Sequence, residues 1–485
     1  MTTRAPRLHI GRIVRMYRQG SRRGEHRPGG AGLFPGRIGR VPLFDGTARL
    51  AVRRQAPQQG GDILRGQPRP QAKCRAEEDP VTLPDDGSAP VNPPARPLAG
   101  LQVVELGSFV AVPSAGLALR QAGARVIRVD PVGGAPDVRR WPLGRDGRSL
   151  YWAGLNRGKE SVELDLASAG GQAALRELIR AGGPGGGILL TNLAAKAWLA
   201  DDLLRRDRPD LIYVQVTGRA DGGPAVDYTV NAASGLAYAT GPEDGTGPVN
   251  QALPAWDLLA GCHAAFAVLA AARHRAATGA GTFCRLPLED VALSTLTTLG
   301  YLPEAQLTGT SRPPQGNQLY GTFGAAMPLA DGSQVMIVAL TGRQWRSLLE
   351  VTGTAAVVAA LETALEADFS DEGQRYRHRK VLLAVMQPWF AARTPAEAAG
   401  ALRGSHVLWS PFRHLAEVAA DLTSAGEGGA VWPAEETGFG LNLVTEGPAT
   451  RDGRRPPLTS APRLGEHTES VLAGLAARPA PQQSI

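Results

Sequence analysis

An α/β fold built on an open parallel sheet is predicted for most of this 485-residue chain. Short apolar segments of strand length alternate with helix-like segments from Leu101 onwards. Such helical connections join parallel neighbouring strands, with helices covering both faces of the sheet. The composition, with 43% hydrophobic and 20% charged residues, is that of a globular chain large enough for more than one domain.

The first strand-helix-strand unit opens the ordered sequence. Residues 101–105 form a short apolar strand, and Gly107 turns the chain. Pro113 stands in the first turn of the following helix, where proline is accepted, and this helix ends at Gly123. Residues 125–130 form the second strand. The unit predicts two parallel strands joined by a right-handed crossover.

The same alternation continues to about residue 300. We predict helices over 172–180 and 199–205, and a long helix from Asp257 to residue 277. The strands predicted with them cover 188–191, 211–217 and 282–287. These elements predict a large Rossmann-like domain over residues 97–300.

The character of the sequence changes at Asn317. A glycine-rich turn at 321–324, a strand over 335–340 and three amphipathic helices up to about Glu417 follow. We therefore predict a smaller α+β domain over 315–435. The segment that follows this domain, residues 436–475, contains a strand-like, proline-rich stretch that we expect to return to the large domain.

Residues 1–96 differ from the rest in composition and charge. They are rich in Arg, Gly, Pro and Gln, and carry 18 Lys and Arg against 8 Asp and Glu. The other 389 residues carry 34 bases and 37 acids. We expect a disordered tail, a transit peptide or, preferably, sequence read from a misassigned start. Because the body is mildly acidic, nucleic-acid binding has no electrostatic support.

The cysteines and the apolar runs exclude other classes of protein. Cys74, Cys262 and Cys284 lie far apart, without the spacing of a zinc site or a disulfide framework. No uninterrupted apolar stretch approaches the roughly 18 residues that span a bilayer. We therefore expect a cytoplasmic protein with no bound metal and no membrane partner.

The loop after the first strand does not favour a dinucleotide. The sequence Gly107-Ser-Phe-Val-Ala-Val lacks the G-x-G-x-x-G that lets the backbone approach a pyrophosphate. Walker, H-E-x-x-H and G-x-S-x-G sequences are also absent from the chain. Nicotinamide cofactors, P-loop nucleotide hydrolysis and serine-elbow hydrolysis are accordingly disfavoured.

Asp257 is the candidate nucleophile. It stands at the start of the long predicted helix, where the positive end of the dipole favours the ionised carboxylate. The small residues Ala260 and Gly261 follow it and would leave room for a bulky acyl group. The alternative is that Asp257 is an ordinary N-cap of the helix.

Nine segments, taken in order, resemble the class III CoA transferases of the formyl-CoA transferase type. The resemblance covers about residues 98–470. The segments are Gly100-Leu-Gln-Val-Val-Glu-Leu-Gly, Gly123-Ala-Arg-Val-Ile-Arg-Val-Asp, Gly133-Gly-Ala-Pro-Asp137, Trp152-Ala-Gly-Leu-Asn-Arg-Gly-Lys159, Ser161-Val-Glu-Leu-Asp165, Ile188-Leu-Leu-Thr-Asn192, Asp210-Leu-Ile-Tyr-Val, Asn231-Ala-Ala-Ser-Gly235 and Pro254-Ala-Trp-Asp257-Leu-Leu-Ala-Gly261.

The resemblance implies a catalytic Asp257 that attacks a CoA thioester, an interlocked homodimer, and no cofactor beyond the thioester substrate. It places CoA at two loops that follow predicted strands, 108–111 and 192–193. Arg139, Arg157 and Lys159 are candidates for contacts with phosphate or the substrate carboxylate, and the alternative is that they are ordinary solvated residues. The CoA-binding residues that we predict are Ser108, Phe109, Val110, Ala111, Asn192, Leu193, Arg157 and Lys159.

Three stretches resemble the branch of the family that moves CoA between the two carboxyl groups of mesaconyl-CoA. They are Pro248-Val-Asn, Gly316-Asn-Gln-Leu-Tyr-Gly-Thr-Phe-Gly324 and Val335-Met-Ile-Val-Ala-Leu-Thr-Gly-Arg-Gln-Trp345. The sequence departs from that branch after Gly324, where Arg-Asp-Phe is expected and Ala-Ala-Met stands.

Three alternatives to this intramolecular reaction remain. The first is CoA transfer between separate acids, and the second is a CoA-binding scaffold without catalysis. The third, an α-methylacyl-CoA racemase, pairs its aspartate with the histidine of a Gly-His-Asp segment, since moving a proton across a carbon needs two acid-base groups. The corresponding residues here are Ala225-Val226-Asp227, which argues against racemisation.

Overall fold

The computed structural model describes residues 96–476 apart from 195, 427 and 437. The chain divides into two units between Gly87 and Ser88, and every described residue belongs to the second. The predicted tail therefore lies outside the described residues, apart from Arg96. Our expectations about its origin stay predictions.

A six-stranded parallel sheet forms the centre of the first part of the described chain. Its strand order is β3-β2-β1-β4-β5-β6, with neighbours parallel throughout. The predicted α/β class with an open parallel sheet is thus confirmed. The strands are β1 Gln102–Leu106, β2 Arg125–Pro131, β3 Glu160–Leu164, β4 Ile188–Thr191, β5 Ile212–Thr217 and β6 Thr282–Pro287.

Strand β3 was absent from the sequence prediction. Three of its five residues, Glu-Ser-Val-Glu-Leu, are polar. It pairs with β2 alone and lies at the edge of the sheet. Edge strands tolerate polar residues, so the apolar run that marks the central strands is missing here.

Helices cover both faces of the sheet. Val103 and Val126 enter the core beneath the helices at 111–121 and 255–278, whereas Val104 and Ile127 enter the core beneath the helix at 169–180. Successive strand residues point to opposite faces, which explains the two cores. The helices of this part are α1 Ala111–Gln121, α2 Leu150–Asn156, α3 Ala169–Arg180, α4 Asp201–Asp207, α5 Asp227–Ala233, α6 Leu236–Thr240, α7 Ala255–Thr278, α8 Leu288–Thr298 and α9 Tyr301–Thr308.

The close packing of α7 on α1 depends on a glycine. A Cβ on Gly261 would lie 2.9 Å from the carbonyl oxygen of Ala111 and 2.1 Å from Oγ of Ser114. Ala260 beside it is fully buried. The expectation that these small residues make room for an acyl group is therefore wrong, because they serve the contact between the two helices.

Helix α7 is also long and apolar enough to cross a membrane, with a mean hydropathy of 1.5 over its most apolar 18-residue stretch. Only 39% of that stretch is buried within this chain. The buried side packs on α1 and the sheet, as expected of a core helix, whereas Phe266 on the same helix is 70% exposed.

A separate core forms in the second part around a three-stranded antiparallel sheet of order β7-β8-β9. Gly324 lies within β7 and not in the predicted turn. Six helices replace the three predicted over the described residues 342–425. These elements are β7 Phe323–Pro328, β8 Gln334–Ala339, α10 Gly342–Thr352, α11 Ala355–Leu365, α12 Glu372–Arg377, α13 Arg379–Ala391, α14 Pro395–Leu402, β9 Leu408–Pro411 and α15 Leu415–Ala425.

The last described segment lies against the six-stranded sheet. It contains the hairpin β10 Trp432–Glu436 and β11 Gly440–Val444, and the helix α16 Thr468–Ala476. The backbone N–H of Ser161 in β3 donates to Nδ1 of His467 at 3.2 Å. The boundaries that we predicted for the domains stay a prediction.

Candidate active site

A cleft of about 420 Å3 opens at the carboxyl ends of β1, β4 and β5, where open α/β sheets bind ligands. The loops after these strands form one wall, and the starts of α5 and α7 form another. Asp257 lies in this cleft, in the first turn of α7. All six residues predicted in the two CoA loops line it as well: Ser108, Phe109, Val110, Ala111, Asn192 and Leu193.

Asn192 ties the two predicted loops together. Its Oδ1 accepts a hydrogen bond from the backbone N–H of Ser108 at 3.2 Å, and its Nδ2 donates to the carbonyl oxygen of Ser108 at 2.9 Å. The neighbouring Phe109 has a φ of +63°, a conformation that costs energy for a residue with a side chain. Its backbone N–H donates to Oδ2 of Asp137 at 2.9 Å, which holds the loop in place.

Asp257 is not the cap of its own helix. Oδ2 of Asp227, the first residue of α5, accepts hydrogen bonds from the backbone N–H groups of Trp256 at 2.7 Å and Asp257 at 3.1 Å. Asp227 therefore satisfies the start of α7, which no side chain at Pro254 caps. The Asp257 carboxyl group is left available to the cleft.

Burial and, to a smaller extent, the negative charge of Asp227 raise the pKa of Asp257, and Arg140 lowers it, which leaves a pKa of about 6. The helix dipole was expected to hold the carboxylate ionised. The net shift has the opposite sign, because loss of water and a like charge outweigh the dipole. The group is still largely ionised near pH 7 and is a stronger base than an ordinary aspartate.

Arg140 is the cation that faces Asp257, and the sequence did not distinguish it from its neighbours. Its guanidinium lies 5.0 Å from the ring centre of Tyr151 and 5.5 Å from that of Phe109. Among the described residues that line the cleft it is the single basic side chain. Arg139, which we had considered for substrate contacts, is exposed and does not line the cleft.

Lys159 and Arg157 are not brought to the cleft. The buried ammonium group of Lys159 lies 3.0 and 2.8 Å from the carboxylate oxygens of Glu105, 2.8 Å from the carbonyl of Pro113 and 2.9 Å from Oδ1 of Asn156. Burial lowers its pKa to about 8. Arg157 forms two hydrogen bonds with Glu436, of 3.0 and 2.9 Å.

Phosphate contacts by Lys159 and Arg157 are therefore disfavoured, because the N–H donors of both groups are engaged in buried ion pairs with Glu105 and Glu436. A different cation, Arg285 of β6, lines an adjoining cleft of about 610 Å3 that shares Asn192 and Leu193 with the first. The sequence offered no signal for Arg285, since it lies in an apolar strand.

A developing oxyanion needs hydrogen-bond donors that line the cleft. The backbone N–H of Asp257 is bound to Asp227, and that of Leu258 donates to the carbonyl of Pro254 at 3.1 Å. Residues 321–324 do not line the cleft. The start of α1 does, at Val110 and Ala111, and no side chain caps it. Its first N–H groups have no partner within the helix and are available to a substrate oxygen.

Comparison with known proteins identifies the family of this chain. The profile of CoA-transferase family III matches residues 98–468. The chain belongs to CoA-transferase family III. Among relatives of this family III chain, the 2-methylfumaryl-CoA isomerase of Chloroflexus aurantiacus is 43% identical over 378 residues, which are 77% of this chain and 92% of that protein. The succinate–glutarate CoA-transferase of Agrobacterium fabrum is 30% identical over 410 residues, 78% of this chain and 96% of that protein.

A solved structure shares the fold of this family III chain. A CaiB/BaiF family protein from Brucella suis superposes with a TM-score of 0.65 at 23% sequence identity. The match covers 79% of this chain and the whole of that one. At this identity the likeness concerns the architecture alone.

Proposed function

We propose that this family III protein transfers CoA through a covalent intermediate on Asp257, and that it moves CoA from C1 to C4 of mesaconyl-CoA. The observation that carries the proposal is Asp257, freed from capping by Asp227, in a cleft at the carboxyl ends of the strands. The relative named 2-methylfumaryl-CoA isomerase supports the choice of substrate.

The chemistry begins with attack of the Asp257 carboxylate on the thioester carbonyl. The carbon–sulfur bond breaks, and a mixed anhydride and CoA thiolate result. The thiolate then attacks the aspartyl carbonyl, the anhydride bond breaks, and the diacid leaves as its carboxylate. CoA is now held as an aspartyl thioester.

The return half of the reaction needs no second acid. The diacid turns and its other carboxylate attacks the aspartyl thioester, which expels CoA thiolate and forms a new anhydride. The thiolate attacks the acyl carbonyl of this anhydride and regenerates Asp257. The net reaction is an isomerisation, and these steps need no cofactor beyond the thioester.

The surroundings of Asp257 suit these steps. A pKa of about 6 gives a carboxylate that is ionised at neutral pH yet more basic than usual. The amides at the start of α1 can donate to the tetrahedral oxyanions. The adjoining cleft would hold the rest of CoA, with Arg285 directed to a phosphate.

Transfer between separate acids is the second candidate, because a relative at 30% identity is named a succinate–glutarate CoA-transferase.

Racemisation is disfavoured, since no histidine occurs among the described residues that line the cleft, and the position before Asp227 holds Val226.

We also propose the interlocked homodimer. Large apolar side chains of α7, α8 and α9 and the residue after α8 are exposed in the single chain: Phe266, Leu293, Leu299 and Leu307. Such surfaces mark interfaces between proteins. Sedimentation should find a dimer that dissociates only on unfolding, and an active monomer in dilute solution would contradict this.

The decisive experiment supplies mesaconyl-CoA alone and follows the products by chromatography and mass spectrometry. The C4 thioester should accumulate to equilibrium, and Asp257→Asn should lower turnover by roughly 10³-fold or more while CoA-ester affinity changes little. Full activity of Asp257→Asn would exclude the nucleophile.

Isotopically labelled free mesaconate, added during the reaction, separates the two routes. A diacid retained in the cleft reacts at an effective concentration that no outside acid matches, so little label should enter the product. Extensive labelling would favour transfer between separate acids.

A further inference from the structure

We propose that Arg140 binds the free carboxylate of a dicarboxylic acyl group and thereby restricts this site to CoA thioesters of diacids. The inference deepens the proposed function and rests on Asp257 as its nucleophile. It concerns the recognition of the acyl chain and not the position to which CoA finally moves.

The charges of the cleft motivate the assignment. The charged side chains among its described lining residues are Asp227, Asp257 and Arg140. Asp227 is engaged with the backbone of α7, and Asp257 is the attacking group. A diacid thioester brings one more negative charge into this space, and Arg140 is the cation that can neutralise it.

The guanidinium of Arg140 lies near two aromatic rings. The rings of Phe109 and Tyr151 lie 5.5 and 5.0 Å from it. Its side chain has no hydrogen bond or ion pair among the residues that the structure describes. The N–H fork therefore stays open to a carboxylate, which it matches with two parallel hydrogen bonds.

The backbone that carries Arg140 is fixed on both sides. Its N–H donates to the carbonyl of Asp137 at 3.0 Å, and its own carbonyl accepts from Oγ of Ser149. Asp137 is itself buried, where it binds Arg128 at 3.1 Å and the N–H of Phe109 at 2.9 Å. Asp137 thus fixes the backbone of Arg140 through its carbonyl oxygen and the backbone of Phe109 through its carboxylate.

This arrangement has a consequence for the intramolecular route. Once the anhydride opens, the diacid is free of Asp257 but still carries two carboxylates. Arg140 retains one of them while the other approaches the aspartyl thioester. A monocarboxylic acid has no second group for Arg140 to hold.

The test compares two thioesters that differ at one group. Tiglyl-CoA has the carbon skeleton of the mesaconyl C1 thioester with a methyl group in place of the free carboxyl group. For both we would measure the rate at which the CoA adduct of the protein forms, by intact mass after rapid acid quench, and for mesaconyl-CoA also kcat/KM of isomerisation. Arg140→Gln removes the charge, and Arg139→Gln is the matched control outside the cleft.

At pH 8, where Asp257 is ionised with or without Arg140, Arg140→Gln should lower kcat/KM for mesaconyl-CoA by about 10²-fold, as expected for the loss of a charged partner. It should change adduct formation from tiglyl-CoA at that pH by less than about threefold. Arg139→Gln should change neither rate. Arg140→Lys should restore part of the diacid rate, because it keeps the charge without the fork.

An equal loss with both thioesters would overturn the proposal, since Arg140 would then act on the cleft as a whole. No loss with mesaconyl-CoA would overturn it as well. If the wild-type protein does not isomerise mesaconyl-CoA, succinyl-CoA serves as the diacid probe. Adduct formation that depends on Arg140 would then support the inference, although the proposed isomerisation would have failed.

Discussion

At Asp257 two influences act in opposite directions on one carboxyl group. The positive end of α7 and Arg140 favour the carboxylate, whereas burial and the charge of Asp227 favour the neutral acid. The pKa of about 6 shows that burial and Asp227 dominate. Asp227 thus has two effects on Asp257. Its charge raises the pKa, and its hydrogen bonds order the first turn of the helix that carries Asp257.

This balance predicts the pH dependence of turnover. The reactive form of Asp257 is the ionised one, so kcat/KM should fall as the pH drops through about 6. Asp227→Asn keeps an oxygen that can accept from the N–H groups of Trp256 and Asp257 but removes the negative charge. In a plot of kcat/KM against pH, the fall of kcat/KM on the acid side (the acid limb) should then move to lower pH, by roughly one unit or less.

Profiles of kcat/KM between pH 4.5 and 8 would measure this shift, with Arg139→Gln as a control that keeps the wild-type limb. A limb that stays in place or moves to higher pH in Asp227→Asn would show that Asp227 does not set the ionisation of Asp257.

Among the elements, the crossing of α1 and α7 positions the chemistry. The start of α1 and Asp257 of α7 both line the cleft, so the separation of the two helices sets the distance between the proposed oxyanion donors and the nucleophile. Gly261 lets them approach, since a Cβ there would lie 2.9 Å from the backbone of Ala111. The packing of α7 on α1 thus determines part of the geometry of the site, although Gly261 itself does not line the cleft.

Gly261→Ala should therefore lower stability and activity together. The added methyl group must push the helices apart, at a cost of about 1–3 kcal/mol in the free energy of unfolding. Gly400→Ala in α14 is the matched control, because its Cβ would meet no atom within 4 Å. That change should leave stability the same or raise it by about 0.5–1 kcal/mol. Chemical denaturation would measure both, and a fully stable, active Gly261→Ala protein would contradict the packing argument.

Across the whole molecule, charge separates the beginning of the chain from the rest. Residues 1–96 hold 18 basic and 8 acidic side chains, whereas the remainder holds 34 and 37. The family III match begins at residue 98. The region that carries the proposed chemistry therefore lies beyond the basic segment.

Removal of residues 1–95 should accordingly leave folding and turnover intact. It should also remove the whole excess of positive charge and leave a slightly negative net charge, so the truncated protein should bind less to a cation-exchange resin at neutral pH. Thermal unfolding and kcat/KM, measured beside the full chain, provide the comparison. A marked loss of either would show that the basic segment contributes to the fold or to the site.

The sequence by itself determined the succession of strands and helices in the first part of the chain, because apolar periodicity and turn residues are local signals. It also singled out Asp257, whose neighbours in the motif are contiguous. Strand β3 was missed because its polar residues match an edge. Two helices of the second part carry a local signal in the sequence, the capping pairs Thr341 with Gln344 and Thr394 with Glu397.

Only the tertiary structure decided which charged residues meet Asp257. Asp227 lies 30 residues away from it in the chain, and Arg157 finds Glu436 across 279 residues. Arg139 and Arg140 are adjacent, alike in sequence and both exposed, yet only Arg140 lines the cleft. The physical reason is that the role of a charged side chain depends on its direction and on the groups that remove water around it, and distant elements supply both.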